Sequence, residues 1–144
     1  MARSDFLYSV RMEPDDGTVL VTCPDIPSVV TYGDDEPAAL YHAIDAITVA
    51  LDSLMEQGAE IPAPSPAEGH PIIRLPSLTV AKLSLYEAMR EEKVSQVELA
   101  RRLGVDPRQI RRMLDLTHRG RFEDIEAGLG ALGLRPVFTV ERAA

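Results

Sequence analysis

The chain has 144 residues, 45 % of them hydrophobic, with 11 prolines, three histidines and one cysteine: apolar content for the packed core of one or two small domains, and too few thiols or spaced imidazoles for a disulfide or a structural zinc site. No run approaches the roughly 18 apolar residues of a membrane helix, and no apolar leader precedes the first strand pattern, so the expected location is the cytoplasm. The net charge of −8 conceals a segregation: residues 1–78 carry three Lys/Arg against thirteen Asp/Glu, a net of −10; residues 79–144 carry twelve against ten, a net of +2; and 94–121 holds seven arginines against three acids.

Phe6, Tyr8, Val10 and Met12 recur with the period-two spacing of a strand that buries one face. Pro14-Asp15-Asp16-Gly17 is a hairpin turn, because Asp-Gly tolerates positive φ, and Thr18–Cys23 returns as its partner. Pro24-Asp25-Ile26-Pro27 interrupts, and Val29–Tyr32 resumes a short strand ending at Gly33. Asp34 or Asp35 caps a long helix with Pro37 in its first turn. Leu40, Ile44, Ile47, Leu51 and Leu54 form its apolar stripe, Asp45, Thr48, Asp52 and Glu56 its polar face, and Gly58 its end. Residues 59–71 hold four prolines and a glycine, which excludes a helix and predicts an extended, stiff linker. Ile72–Leu75 reads as a fourth strand. The first unit, residues 1–75, is therefore α+β, one helix on an antiparallel sheet.

The second unit, 76–144, is helical, opening with a helix over Val80–Glu92 that presents Leu83, Leu85, Tyr86 and Met89. Ser95 with Glu98 forms a capping box that starts a helix at Gln96. Ala100 is small where two helices must approach, Gly104 permits a sharp turn, and Val105 plugs the angle. Asp106-Pro107 starts the next helix, with Ile110 and Met113 buried; the spacing is that of a helix-turn-helix. The outer face of this second helix carries Arg108, Gln109, Arg111 and Arg112, residue types that pair with guanine and adenine edges in the major groove. Gln96 brings helix N-terminal N–H groups to a phosphate, and His118, Arg119 and Arg121 suit backbone contacts. A helical hairpin with merely solvated arginines, or one that contacts only proteins, is the alternative. Arg121–Leu132 predicts a last helix, closed near Gly133, and Arg135–Glu141 alternates like a terminal strand. Pairing of Val137, Phe138 and Val140 with a second copy would satisfy that strand's edge and give the homodimer that paired half-sites require; folding back on its own unit is the other possibility.

Asp15, Asp16, Asp25, Asp34, Asp35, Asp45 and Asp52 raise the question of a two-metal nuclease. Their places in a turn, at a helix cap and on a helix's polar face argue against catalysis, metal or cofactor. Cys23 reads as a small buried hydrophobe. A net of −10 repels nucleic acid and attracts a basic protein, or else serves only solubility.

Tyr8, Asp16-Gly17, Cys23-Pro24-Asp25-Ile26-Pro27, Thr31-Tyr32-Gly33-Asp34 and the alanine-rich helix from Ala38, followed by Lys82–Met89 and Glu98–Val105, resemble the HicB antitoxin family, in the branch with a C-terminal Cro/repressor-like helix-turn-helix domain. The resemblance covers roughly residues 6–141. Ser28 and Val29 depart from it, standing where the family usually has glycine and then a small or polar residue. The resemblance implies a type II toxin–antitoxin role. The first unit would be a partial ribonuclease-H-like domain without a working active site, which binds and blocks a HicA-type mRNA-cleaving ribonuclease toxin. The second would bind operator double-stranded DNA and repress the shared operon. Asp25, Ile26, Tyr32, Asp34 and Asp35 are the toxin-binding candidates on this reading. The alternative is a stand-alone helix-turn-helix regulator whose first unit senses another protein or a ligand.

Overall fold

A computed structural model describes residues 5–143. The first alternating segment is broken at Val10. Tyr8–Ser9 (β1) lies before the break and Arg11–Asp15 (β2) after it. β2 pairs antiparallel with Thr18–Thr22 (β3), and β3 with Val30–Gly33 (β4). β1 pairs instead with Ile72–Ile73 (β5), placing Tyr8 opposite Ile73. At the break the Val10 N–H donates to the Pro71 carbonyl at 2.9 Å, so its buried backbone donor is satisfied. Phe6, Tyr8 and Val10 are buried and Met12 is half-buried, as the spacing predicts, but Ser9 between them is buried too, so the alternation is not clean. Asp16 and Gly17 both have positive φ, at 50° and 80°, matching the tight hairpin turn.

Helix α1, Glu36–Glu56, starts where the Asp35 carboxylate accepts the Ala38 N–H at 2.9 Å. It packs on β3 and β4. Its buried residues are Ala39, Ala43, Ile47, Leu51 and Met55, whereas Leu40, Ile44 and Leu54 from the expected stripe are only half-buried. The rotation has a local cause. A Cβ on Gly33 would sit 2.2 Å from the Ala39 nitrogen, so the end of β4 touches the helix backbone and only small residues fit against it. Among the described residues α1 is the one helix long and apolar enough to cross a membrane, and its buried face is seated on the sheet.

Residues 59–67 are extended, as their prolines require, residues 68–70 form a turn closed by the His70 N–H on the Ala67 carbonyl at 3.2 Å, and the segment is fastened down at several points. Ile61 is in the core, the Tyr8 hydroxyl donates to the Pro62 carbonyl at 2.7 Å, the Ser65 N–H to Asp25 Oδ2 at 2.7 Å, and the Ala67 N–H to Ser9 Oγ at 3.1 Å.

Four helices follow: α2 (Ser77–Glu92), α3 (Gln96–Leu103), α4 (Pro107–Leu114) and α5 (Phe122–Ala131). α2 packs on α4 and α5, and α3 packs on the same two, around Leu83, Leu85, Leu99, Ile110 and Ile125. The apolar core continues from this bundle into the sheet half. Hydrogen bonds cross with it: Tyr86 Oη donates to the Ala59 carbonyl at 2.6 Å, and the Leu116 N–H to Asp52 Oδ1 at 2.9 Å.

The short strand of the fold thus precedes the helices, as β5, and the terminal strand expected over Arg135–Glu141 is not formed within the chain. Alternation alone supplies no partner for backbone N–H and C=O groups. Val137, Phe138 and Val140 are 85 %, 67 % and 86 % exposed. The segment makes an edge-to-face contact of Phe138 on Phe122 (centroids 6.2 Å apart) and an Arg74–Glu141 ion pair at 3.3 Å.

Candidate nucleic-acid interface and acidic face

The turn between α3 and α4 is built from local signals. Ser95 Oγ accepts the Glu98 N–H at 3.0 Å. The reciprocal half of the expected capping box is replaced. The Glu98 carboxylate binds Arg101 at 2.6 and 2.9 Å and Arg102 at 3.1 Å, and these hydrogen bonds push its pKa down to about 2. Gly104 takes φ +68°, the left-handed conformation that closes α3. The Val105 N–H then reaches the Ala100 carbonyl at 3.0 Å, and Gly104 N–H the Arg101 carbonyl at 3.3 Å, which is the paired helix-ending motif that satisfies free carbonyls. Ala100 is buried and Val105 half-buried against the core. Asp106 caps α4 by accepting the Arg108 N–H at 2.8 Å, and Ile110, Met113 and Leu114 are its buried face.

Of the eight candidate DNA-contacting residues, four share one cleft. Gln109, Arg112, His118 and Arg121 line a single cleft of about 180 Å³ between α4 and the start of α5. Arg111 and Arg119 are exposed outside it, and Gln96 is exposed in the first turn of α3. Arg108 is also exposed, with its guanidinium bonded to its own helix cap, Nε and Nη2 lying 3.2 and 3.1 Å from the Asp106 oxygens. That pair holds Asp106 below the usual carboxylate range. Arg121 leans toward Glu123 at 3.4 Å.

The loop that follows α4 depends on a residue of α2. Lys82, in α2, is 1 % exposed, and Nζ donates to the Asp115 carbonyl at 2.6 Å and the His118 carbonyl at 2.5 Å. Burial lowers its pKa, against the raising influence of Asp115 and Asp52. The signal was available: Thr79, Lys82, Leu83, Tyr86 and Met89 share one helical stripe, so a lysine falls on the buried face of α2.

On the sheet half, the five toxin-binding candidates separate. Ile26 is 2 % exposed and belongs to the core, because the Pro-Asp-Ile-Pro turn folds it inward. Asp25 engages its carboxylate with the Ser65 N–H. Tyr32, Asp34 and Asp35 are exposed, at the end of the edge strand β4 and the cap of α1. Val30, on the same edge, and Tyr41, on α1, add exposed apolar surface that the sequence reading did not single out. His42 Nδ1 donates to the Tyr32 carbonyl at 2.6 Å, joining helix to edge. Among the described residues no group of three or more His, Cys, Asp or Glu could hold a metal ion. Cys23 is buried, which pushes its thiol pKa up.

An acidic sheet half joined to a helix-turn-helix defines a class of small two-part proteins, and comparison with known sequences supplies the family. Residues 7–84 match the HicB-like antitoxins of bacterial toxin–antitoxin systems. The chain is 37 % identical over 140 residues to antitoxin HicB of Pseudomonas fluorescens (strain Pf0-1), covering 96 % of each chain. It is 38 % identical over 126 residues to antitoxin HicB 2 of Photorhabdus laumondii subsp. laumondii, covering 88 % of this chain and 90 % of that one. To antitoxin HicB of Escherichia coli (strain K12) it is 33 % identical over 128 residues, covering 88 % and 93 %. The chain belongs to the HicB antitoxin family: it is the antitoxin of a type II toxin–antitoxin system and not an enzyme. The family match ends inside α2, and the alignments to whole relatives extend the likeness across the helical half.

Proposed function

We propose that this antitoxin acts in the cytoplasm through two units, 1–75 and 76–144. The first blocks a HicA-type mRNA-cleaving ribonuclease, and the second represses its own operon by binding operator DNA. The observation that carries the DNA half is the convergence of Gln109, Arg112, His118 and Arg121 on one cleft beside α4, with Arg111 and Arg119 exposed next to it. Such a surface supplies base-reading side chains on a helix and phosphate-contacting ones on the adjoining loop. The toxin half is supported by family membership and by charge. A net of −10 over residues 1–78 favours a basic, RNA-binding partner, and exposed Val30, Tyr32, Tyr41, Asp34 and Asp35 offer it apolar and acidic surface at β4 and the first turns of α1. The strand and helix order of the first unit is in keeping with a partial ribonuclease-H-like domain.

Operator binding by paired helices calls for a homodimer, and the tail is the segment best suited to build it. Val137, Phe138 and Val140 are exposed, and the first two form one wall of a groove of about 980 Å³ whose other lining includes Leu75, Val80 and Phe122. The reading is tested by adding the purified chain to its companion ribonuclease and a defined mRNA, and separately to duplex DNA from upstream of its own gene. Protection of the mRNA together with a sequence-selective DNA complex is the expected result. DNA binding with no effect on any companion ribonuclease would favour the stand-alone regulator.

A further inference from the structure

Residues 115–118 are fixed at three points within four residues, and the three anchors come from two different parts of the chain. Lys82 of α2 takes the Asp115 and His118 carbonyls on Nζ, and Asp52 of α1 takes the Leu116 N–H on Oδ1 at 2.9 Å. Leu116 is buried by this arrangement. Inside the loop, Asp115 Oδ1 accepts both the Thr117 N–H at 2.9 Å and its hydroxyl at 2.7 Å. With the two carbonyls turned inward onto the ammonium, His118 and Arg119 are left exposed. A buried lysine is costly unless its donors are used, and here they are used on the backbone of the stretch proposed to meet the phosphates. Asp52 stands on the polar face of α1, where a solvated charge was the simplest expectation.

We infer that Lys82 and Asp52 are positioning residues for DNA binding, which hold the loop after the recognition helix so that His118, Arg119 and Arg121 meet the phosphate backbone. The inference rests on the operator-binding reading. It adds that α1 of the sheet half is part of the DNA-binding apparatus, acting on the loop through the Leu116 N–H. The chemistry requires an acceptor at position 52 and a buried cation at 82. Asn at 52 preserves the acceptor, Ala removes it, and Met at 82 fills the volume without the ammonium.

The test uses the full-length chain and a duplex from its own promoter, with affinity measured across a salt series. Each phosphate contact contributes about 0.9 to the slope of log affinity against log salt. Lys82→Met and Asp52→Ala should lower the magnitude of that slope by about 1–2 and weaken binding about tenfold or more, while Asp52→Asn stays near the unmodified chain. Arg119→Ala should weaken the unmodified chain but cost little further in the Lys82→Met background, because its contact is already lost. A purely structural role would reduce the active fraction, leave the slope unchanged, and let Arg119→Ala add in full; that result overturns the inference. Asp52→Ala keeps the test sharp if Lys82→Met fails to fold. An unmodified chain that binds no duplex would overturn the operator reading itself, a failure distinguishable from equal slopes in a chain that does bind.

Discussion

Gly33 and Glu98 show how single side chains set the geometry around them. A Cβ on Gly33 would lie 2.2 Å from the Ala39 nitrogen, a backbone atom that cannot swing aside, so Gly33→Ala must separate β4 from α1. Overpacking of this kind costs about 1–3 kcal/mol and sometimes more, and urea unfolding should show a loss at or above the upper end of that range. Glu98 makes an acid prediction. Its carboxyl has an ordinary value of 4.5 and lies at about 2 in the folded chain, held down by Arg101 and Arg102. A depressed folded value means that its stabilising contribution is present above about pH 4.5 and is lost as pH falls toward 2. Glu98→Gln lacks that titration, so its thermal midpoint should fall less between pH 5 and pH 2 than that of the unmodified chain. An equal fall in both would show that the pair adds nothing to folding.

At the scale of elements, what was legible in the sequence divides by the range of the interaction that decides it. Caps act within three residues, and Asp35, Ser95 and Asp106 all cap as their spacing predicts. Gly104 likewise closes α3. The seating of α1 differs from its apolar stripe, because size alone favours Leu40, Ile44 and Leu54, whereas the close approach of Gly33 turns Ala39 and Ala43 inward. Glu98 was expected to complete a capping box, and two arginines one turn on outcompete the distant N–H. The role of Lys82 depends on a contact more than thirty residues away, so a charged residue on a buried stripe is intelligible only once the loop it serves is in place. Of the DNA-contact candidates, position in sequence gave the helix and the loop, and folding brought four of them onto one cleft. Arg111→Ala and Arg112→Ala should each cost about 1–3 kcal/mol on operator DNA if they read bases. Gel-shift titrations on operator and scrambled duplexes decide this: selective loss marks base reading, equal loss marks phosphate contact, and no loss from either would sink the recognition-helix assignment.

For the whole molecule, the charge division visible in the sequence maps onto two structural halves, yet the proline segment between them is no free tether. It carries Ile61 into the core and is hydrogen-bonded to Tyr8, Asp25 and Ser9, and β5 beyond it completes the pairing of β1. A toxin-binding fragment should therefore extend through Leu75, since stopping at residue 60 removes the partner of β1. The tail was read as a strand from alternation, and within one chain it has no strand to pair with. If a second copy supplies that partner, removing residues 136–144 should leave a monomer that binds a half-site weakly and still binds the ribonuclease. Sedimentation that shows an intact dimer after the deletion would place the interface elsewhere, with α5 the next choice.

If one antitoxin carries two partners on two faces, two complementary variants should separate them. One variant combines Tyr32→Ala with Asp34→Ala, and the other combines Arg111→Ala with Arg112→Ala, each titrated against the companion ribonuclease and against operator duplex. The first should lose the ribonuclease at least tenfold while keeping the duplex, and the second should do the reverse. A ribonuclease affinity that depends on Arg111 and Arg112, and is indifferent to Tyr32 and Asp34, would contradict the account.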